Sequence, residues 1–173
     1  MSLSLETLLF EVDERGCAHL IINRPDKLNA LNKQVFRELE EVVHYIREHK
    51  NIKALMIKGA GEKAFVAGAD IKELTELDSP SAERTSSNGQ AVFQSIEDLN
   101  LPVIGIIDGY ALGGGLELAL CCHMRIGNAD AVLGLPEVSL GLIPGWGGTQ
   151  RLSAIVGKAK ATELILTGDF VKA

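Results

Sequence analysis

The sequence lacks the motifs that several large enzyme classes require. It has no GxGxxG after a predicted strand, no GxxxxGK[ST], no GxSxG and no HExxH, which argues against dinucleotide-binding, P-loop, serine-hydrolase and zincin sites. Its three cysteines, two of them adjacent, have neither CxxC nor Cys/His metal spacing, and its four histidines are scattered. We therefore predict no metal site, and the cysteine pattern favours a reducing compartment.

A basic surface and a long apolar run are also lacking. The 173 residues carry a formal net charge of -6 with no Lys/Arg run, which argues against binding to nucleic acid or to an anionic membrane. No apolar stretch approaches the roughly 18 residues of a membrane span, and the first residues show neither a basic signal-peptide start nor an Arg-rich transit sequence. We therefore expect a cytoplasmic protein with one domain.

The pattern of apolar residues predicts an α/β fold. LLFEVDERGCAHLIIN predicts a β-hairpin, and the residues after Asn32 have the spacing of an amphipathic helix with Asn32 as its N-cap. ALMIKG (54–59) and PVIGIIDG (102–109) are short apolar runs typical of buried strands. Alternation of strands with helices implies parallel sheets with crossover helices.

The second half of the chain carries two more predicted helices. One covers the region around Val92 and Leu99, and another ends near Gly168. Between the first two predicted helices lies the polar stretch ELDSPSAERTSSNGQ (76–90), which contains a proline and a glycine. We expect this stretch to be the most weakly structured and most mobile part of the chain.

Small residues precede a predicted helix start at two points. AGADIKEL (67–74) and GYALGGGLELALCC (109–122) each pass from a strand through a small-residue loop into a helix. Unpaired N–H groups at such a start can bind an anion or polarise a carbonyl. Taken alone, the first motif favours a tight strand-to-helix turn with Asp70 as a first-turn acid that the helix dipole stabilises. Two such starts in one domain suggest two N–H groups that converge on one oxygen, as in an oxyanion hole.

Two glutamates stand in apolar surroundings. Glu117 falls in the first turn of the helix after the glycine triplet, and Glu137 follows Pro136 in GLPEVSLGLIPGWGG. A helix-terminal charge would explain the first and a surface loop would explain the second. Beside two carbonyl-polarising N–H groups, however, they would form a general acid/base pair, because one carboxylate can take a proton from water while the other returns one. Burial and mutual repulsion would raise both pKa values.

Five motifs together resemble the crotonase (enoyl-CoA hydratase/isomerase) superfamily. They are NRPDKLNALN (23–32), FVAGADIKEL (65–74), GYALGGGLELALCC (109–122), LGLPEVSLGLIPGWGGTQRL (133–152) and TELILTGD (162–169). The resemblance implies a crotonase-like spiral of ββα repeats. It also implies reversible syn addition of water to a 2-trans-enoyl-CoA, giving a 3-hydroxyacyl-CoA, as in fatty acid metabolism. No separate cofactor is implied, because coenzyme A is part of the substrate.

The same resemblance implies roles for individual residues. The N–H groups of Ala69 and Gly114 would hold the thioester oxygen, Glu117 would activate the water, Glu137 would protonate C2, and Gly145 would lie near the water. Two loops would run along the coenzyme A moiety. The residues of those loops are Lys27, Ala30, Leu31, Ala67, Asp70, Ile71 and Lys72.

The chain departs from the family pattern in three respects. Trp146 stands where a small residue or phenylalanine is usual, so it would narrow or reshape the acyl end of the pocket, and His123 replaces a common aspartate. The C-terminal helical region that completes the acyl pocket and the trimer contacts is absent from the sequence. We therefore expect residues 1–173 to form a single crotonase-like N-terminal core domain, and the full-length protein to be a homotrimer or a dimer of trimers.

Two alternatives to hydration stay open at this stage. One is another crotonase reaction, namely that of an enoyl-CoA isomerase, a decarboxylase or a thioesterase. The other is a non-catalytic acyl-CoA-binding fragment, which would bind coenzyme A without turnover.

Overall fold

The computed structural model describes residues 3–173, which form two sheets and six α-helices. The strands are β1 (Leu8–Val12), β2 (Cys17–Ile22), β3 (Ala54–Gly59), β4 (Ala64–Val66), β5 (Val103–Ile107), β6 (Tyr110–Leu112), β7 (Met124–Gly127), β8 (Val132–Gly134) and β9 (Val171–Lys172). The helices are α1 (Lys33–Glu48), α2 (Ile71–Thr75), α3 (Ser79–Glu97), α4 (Gly114–Cys121), α5 (Gly148–Val156) and α6 (Lys158–Thr167). Two 3₁₀ helices span Pro25–Lys27 and Pro136–Leu140.

From β3 to β8, successive strands alternate between the two sheets. The larger has the order β1-β2-β3-β5-β7 and the smaller the order β4-β6-β8-β9. Pairing is parallel except for β1 with β2 and β8 with β9. The pairs β3–β4, β5–β6 and β7–β8 each place one strand in either sheet before the chain enters a helix, which is a ββα repeat. The predicted α/β fold with parallel sheets and crossover helices is confirmed.

Helix α1 begins and packs as the sequence predicts. The Asn32 side chain accepts a hydrogen bond from the Val35 N–H at 2.9 Å, which satisfies one of the N–H groups that every helix start leaves unpaired. One face of the helix is buried in the core. Its buried residues are Val35, Phe36, Glu38, Leu39, Val42, Val43 and Ile46.

The expectation for residues 76–90 is wrong, because α3 begins at Ser79 and covers most of that stretch. Asp78 and Ser81 form a capping box, and Pro80 lies in the first turn, where the absence of an N–H costs nothing. Gly89 is buried against the Trp146 indole, and a Cβ at that position would overlap the ring. Proline and glycine therefore have positional reasons here and do not mark a loop.

Helix α4 runs through the interior of the protein. Each of its eight residues is buried, because strands β4 and β6 and helices α3 and α5 surround it. Its end is held by Arg125, whose Nη1 donates to the carbonyls of Ala119 and Cys122 at 3.2 and 2.7 Å. Glu117 lies in the first turn, as predicted, and the helix carries its carboxyl group into the core.

Glu38 is a second buried carboxylate, and it fastens the start of β1 to α1. Its oxygens accept hydrogen bonds from the N–H groups of Glu6, Thr7 and Leu8, from the Thr7 hydroxyl and from Gln34 Nε2 at 2.8 to 3.0 Å. Burial acts to raise the pKa of Glu38, but these hydrogen bonds outweigh it and hold the pKa below its ordinary value. The carboxylate therefore stays ionised and stabilises the fold.

Replacing Glu38 with alanine should lower the free energy of unfolding by about 2 to 3 kcal/mol, because the buried N–H of Leu8 and the partly buried N–H groups of Glu6 and Thr7 lose their acceptor. Because the folded-state pKa is lowered, the contribution is present above pH 4.5 and is lost as the pH falls through the folded-state pKa. Urea unfolding at pH 7 checks the magnitude. Glu40→Ala, on the exposed face of the same helix, is the control, and equal losses for the two variants would contradict this role.

Candidate active site

Two small-residue loops leave neighbouring parallel strands at the same edge of the smaller sheet. One connects β4 to α2 through Ala67–Asp70, and the other connects β6 to α4 through Gly113. A Cβ built on Gly113 would lie 3.9 Å from Gly68 Cα, so the two loops are adjacent. Gly113 has φ 51°, a left-handed conformation that glycine adopts without strain. The loops are therefore close enough to act on one ligand atom.

Each loop offers a backbone N–H group. Leu31 pairs with the first loop by donating to Gly68 O at 2.9 Å and accepting from Asp70 N–H at 2.8 Å. The Ala69 N–H between them donates to no acceptor within residues 3–173. Gly114 is the first residue of α4, where an N–H has no partner inside the helix. Both residues border the same cavity.

Glu117 is 1% exposed, and its Oε1 is held by two backbone amides. The N–H groups of Trp146 and Gly148 donate to it at 2.8 and 2.7 Å. Burial raises the pKa of Glu117 to about 7; the two amides act in the opposite direction, and the nearby Glu137 charge raises the pKa further. A carboxyl group with a pKa near neutrality can both take and return a proton under physiological conditions.

Glu137 borders the same cavity from the 3₁₀ helix Pro136–Leu140. Burial raises its pKa. Its Oε2 is buried and accepts no hydrogen bond from any residue in the described range 3–173. An unpaired buried carboxyl oxygen is costly, so a glutamate with only a structural role would not be expected here. The expectation of a surface loop glutamate does not fit this burial.

The cavity has a volume of about 460 Å³ and a mostly apolar wall beyond the two glutamates. The apolar lining residues include Leu74, Leu77, Ala82, Leu140, Leu142, Ile143 and Trp146. Trp146 is 7% exposed and packs edge-on against Phe36 and Phe93, with ring centroids 4.8 and 6.0 Å apart. Its indole also lies directly on Gly89 and Gly114, where any Cβ would overlap it. Trp146 therefore has a fixed position in the wall.

The structure brings eight of the residues singled out from the sequence to this cavity. They are Ala67, Ala69, Ile71, Gly114, Glu117, Glu137, Gly145 and Trp146. The other five do not line it. Lys27 and Lys72 are exposed, Ala30 is half-buried, and Leu31 and Asp70 border a smaller pocket that shares several residues with this cavity.

Asp70 forms an ion pair in addition to its contact with the start of helix α2. It caps α2, and its carboxylate pairs with Arg24 Nη2 at 2.9 Å, while Arg24 Nη1 donates to the Ala30 carbonyl. The Arg24 hydrogen bond lowers the pKa of Asp70. Arg24 thereby ties the loop that precedes Leu31 to the loop that carries Ala69. Sequence reasoning missed this contact because 46 positions separate the two residues.

Sequence reasoning also missed the groups that hold the 145–148 loop. Ser86 Oγ and Gln90 Nε2, both on α3, donate to the Gly145 carbonyl at 2.7 and 2.8 Å. Arg151 Nη1 donates to the Trp146 carbonyl at 3.1 Å, and its Nε pairs with Glu97 at 2.7 Å. The sequence around Ser86 and Gln90 gives no signal for these contacts, because the two side chains reach Gly145 only once helix α3 has formed.

Two structural findings concern what the site and the chain do not contain. Within residues 3–173, no group of three or more His, Cys, Asp or Glu side chains is arranged to hold a metal ion. None of the helices in that range has the length and apolar character needed to cross a membrane.

Comparison with known proteins gives consistent relatives. A family model described as enoyl-CoA hydratase/isomerase matches residues 13–173. The chain is 43% identical over 171 residues to a crotonyl-CoA hydratase of Syntrophomonas wolfei, and 45% identical over 160 residues to a short-chain-enoyl-CoA hydratase of Clostridium acetobutylicum. These alignments cover 99% and 92% of this chain but 65% and 61% of the relatives, so the chain spans less than two thirds of their length.

Solved structures agree with this match. A crystal structure of an enoyl-CoA hydratase from Bacillus anthracis superposes with a TM-score of 0.93 at 38% identity. It covers 97% of this chain and 65% of that chain. A hydratase from Thermoplasma volcanium superposes with a TM-score of 0.90 at 35% identity over 96% of this chain and 66% of that one. The fold is therefore that of these hydratases over nearly all of the described chain.

Proposed function

The chain belongs to the enoyl-CoA hydratase/isomerase family. We propose that the protein catalyses the reversible syn addition of water to a 2-trans-enoyl-CoA, giving a 3-hydroxyacyl-CoA. One observation carries the proposal. The buried Glu117 and the half-buried Glu137, whose Oε2 is buried, both have raised pKa values and border one cavity beside two loops with available N–H groups. The proposed reaction uses no cofactor, because coenzyme A is part of the substrate.

The two glutamates have complementary roles in this proposal. Glu117 takes a proton from water as the hydroxyl oxygen adds to C3, and Glu137 gives a proton to C2, so one water is added overall. The forward reaction therefore needs Glu117 ionised and Glu137 protonated. A pair with raised, coupled pKa values supports this, because it holds one proton over a range of pH near neutrality. Gly145, which borders the cavity near Glu117, lies beside the water.

The backbone N–H groups of Ala69 and Gly114 stabilise the enolate in this mechanism. Charge moves onto the thioester oxygen as the hydroxyl adds, and donors fixed in advance at that point stabilise the transition state more than the ground state. Loss of one such donor costs about 10² to 10³ in rate. The adjacency of the two loops and the absence of another acceptor for Ala69 support the assignment.

Coenzyme A is proposed to lie at the mouth of the cavity, along the loops that flank Ala69. The residues assigned to it are Lys27, Ala30, Leu31, Ala67, Asp70, Ile71 and Lys72. Exposed lysines at positions 27 and 72 suit the negative charge of its phosphates, and Ile71 is 61% exposed at the mouth of the cavity. We further propose a cytoplasmic protein of fatty acid metabolism that assembles at full length as a homotrimer or a dimer of trimers.

Hydration of crotonyl-CoA tests the function on this chain and on the complete native gene product. The reaction is monitored by the loss of the conjugated enoyl absorbance. We expect 3-hydroxybutyryl-CoA as the product. Parallel incubations with a 3-enoyl-CoA, a malonyl-type CoA and a saturated acyl-CoA test for isomerase, decarboxylase and thioesterase activity. Binding of acyl-CoA by calorimetry without turnover of any of these substrates by the complete protein would overturn the hydratase proposal.

Trp146 is expected to limit the length of the acyl chain. Trp146→Phe makes the ring at the cavity wall smaller and leaves more room for the acyl chain. The ratio of kcat/KM for 2-trans-octenoyl-CoA to kcat/KM for crotonyl-CoA should therefore rise roughly tenfold, which is the effect on kcat/KM of burying one or two more methylene groups in an apolar pocket. Phe10→Leu, an aromatic change in β1 far from the cavity, is the control. An unchanged ratio in Trp146→Phe would refute this limit.

A further inference from the structure

The 145–148 loop donates hydrogen bonds to Glu117 and accepts hydrogen bonds from helix α3. Trp146 N–H donates to Glu117 Oε1 at 2.8 Å. On the opposite side of the same peptide unit, the Gly145 carbonyl accepts from Ser86 Oγ at 2.7 Å and from Gln90 Nε2 at 2.8 Å. Gln90 Nε2 also lies 3.1 Å from Ser86 Oγ, so the two side chains support each other.

Gly145 and Trp146 share one planar peptide group. The described backbone contains no cis peptide bond, and in a trans peptide the C=O and the N–H point in opposite directions. Donors that fix the direction of the Gly145 carbonyl therefore also fix the direction of the Trp146 N–H. Hydrogen bonds on the carbonyl also polarise the peptide and strengthen its N–H as a donor.

We propose that Ser86 and Gln90 are positioning residues for Glu117, acting through the Gly145–Trp146 peptide to hold the carboxylate in place and to favour its ionised form. Neither side chain needs to touch the reacting atoms. Ser86 is half-buried at the cavity wall, whereas Gln90 is exposed and lies outside it. The catalytic part of this inference depends on the proposed hydratase function; the effect on Glu117 itself does not.

The charged groups around Glu117 are not altered by changes at Ser86 or Gln90. Glu137 faces it from the 3₁₀ helix and raises its pKa, while Arg151 faces it from α5 and lowers it. Cys121, on the same helix as Glu117, has a pKa raised by burial and stays protonated. A shift in the titration of Glu117 on replacing Ser86 or Gln90 would therefore report the loss of hydrogen bonding through the peptide.

The test compares Ser86→Ala, Gln90→Ala and the double variant with the wild-type chain. The titration of Glu117 is followed by carboxyl ¹³C NMR in glutamate-labelled protein, with Glu117→Gln to assign the signal. We expect its apparent pKa to rise by about half a pH unit in the double variant, because a polarised N–H donor to the carboxylate is weakened. The acid limb of the kcat/KM profile for crotonyl-CoA should move in the same direction, with kcat at pH 7 falling several-fold and KM little changed.

Two further variants separate positioning from general packing. Ser95→Ala removes a hydroxyl on the same helix that donates to the Val92 carbonyl, away from the loop, and should leave the titration unchanged. Ser86→Thr retains a hydroxyl and should restore the wild-type titration. If Ser86→Ala fails to fold, Gln90→Ala still gives the answer, because its exposed side chain can be removed without opening the core.

The outcomes distinguish this inference from the proposed function. An unchanged Glu117 titration in Gln90→Ala and in every folded Ser86 variant, or a lowered melting temperature as the sole effect, overturns the positioning role even if the wild type hydrates crotonyl-CoA. If the wild type fails to hydrate any enoyl-CoA but the titration shifts as expected, the hydratase proposal falls and the positioning role stands.

Discussion

Replacing Glu117 with glutamine should lower kcat for hydration of crotonyl-CoA by about 10² to 10⁴, which is the usual contribution of a positioned general base. The amide keeps a carbonyl oxygen that can accept from Trp146 and Gly148, so the loop geometry is retained. What is lost is the ability to take a proton from water. KM should change by less than about threefold, because the coenzyme A contacts are untouched.

Steady-state kinetics of Glu117→Gln, Glu137→Gln and the double variant check this. The losses of the two single variants should be far from additive, because the two carboxyl groups act as one proton-transfer unit. Glu40→Gln, an exposed glutamate on α1, controls for the change of charge. A loss below about tenfold in both single variants would show that these glutamates are not the acid and base.

Glu117→Gln should also raise the free energy of unfolding at alkaline pH. The pKa of Glu117 is about 7 in the folded chain against an ordinary value of 4.5, so the folded state binds more protons than the unfolded state between these values. Stability therefore falls as the pH rises from about 4.5 to 7, and the full cost, about 3 kcal/mol, is present above pH 7. Glutamine at this position removes that cost because it carries no charge.

Urea unfolding of the wild type and Glu117→Gln at pH 5 and pH 8 measures the effect. We expect the stability difference between the two proteins to be about 2 kcal/mol more in favour of the variant at pH 8 than at pH 5. Comparing the two pH values cancels any pH-independent effect of the amide. A difference that stays constant with pH would mean that Glu117 is ionised in the folded chain at pH 5, contrary to its burial.

The sequence predicted the elements whose signals are local. The Asn32 cap, the hairpin, the start of α4 and the first-turn position of Glu117 each depend on a few consecutive residues, and each is confirmed. The part of helix α3 that precedes the predicted helix around Val92 was missed, because its polar residues and Gly89 resemble a loop until Gly89 packs against Trp146.

The contacts that hold the candidate site together could not be predicted from spacing. Ser86 and Gly145 are 59 positions apart, and Arg24 and Asp70 are 46 apart. Periodicity gives the face on which a side chain lies but not the distant backbone group that the face will meet. The pairing of Glu117 with Glu137 was suggested only by their apolar neighbours and by the family motifs. The structure places both at one cavity, while their roles stay predictions.

The packing of the Trp146 ring on Gly89 and Gly114 restricts the order in which these three positions can be substituted. While the indole is present, a methyl group at either glycine would overlap it, so an alanine there should be selected against. Once a smaller residue replaces Trp146, the same alanine fills the space that the ring leaves and becomes acceptable. The three positions therefore form an epistatic unit, in which residue 146 has to change before an alanine at position 89 or 114 becomes acceptable.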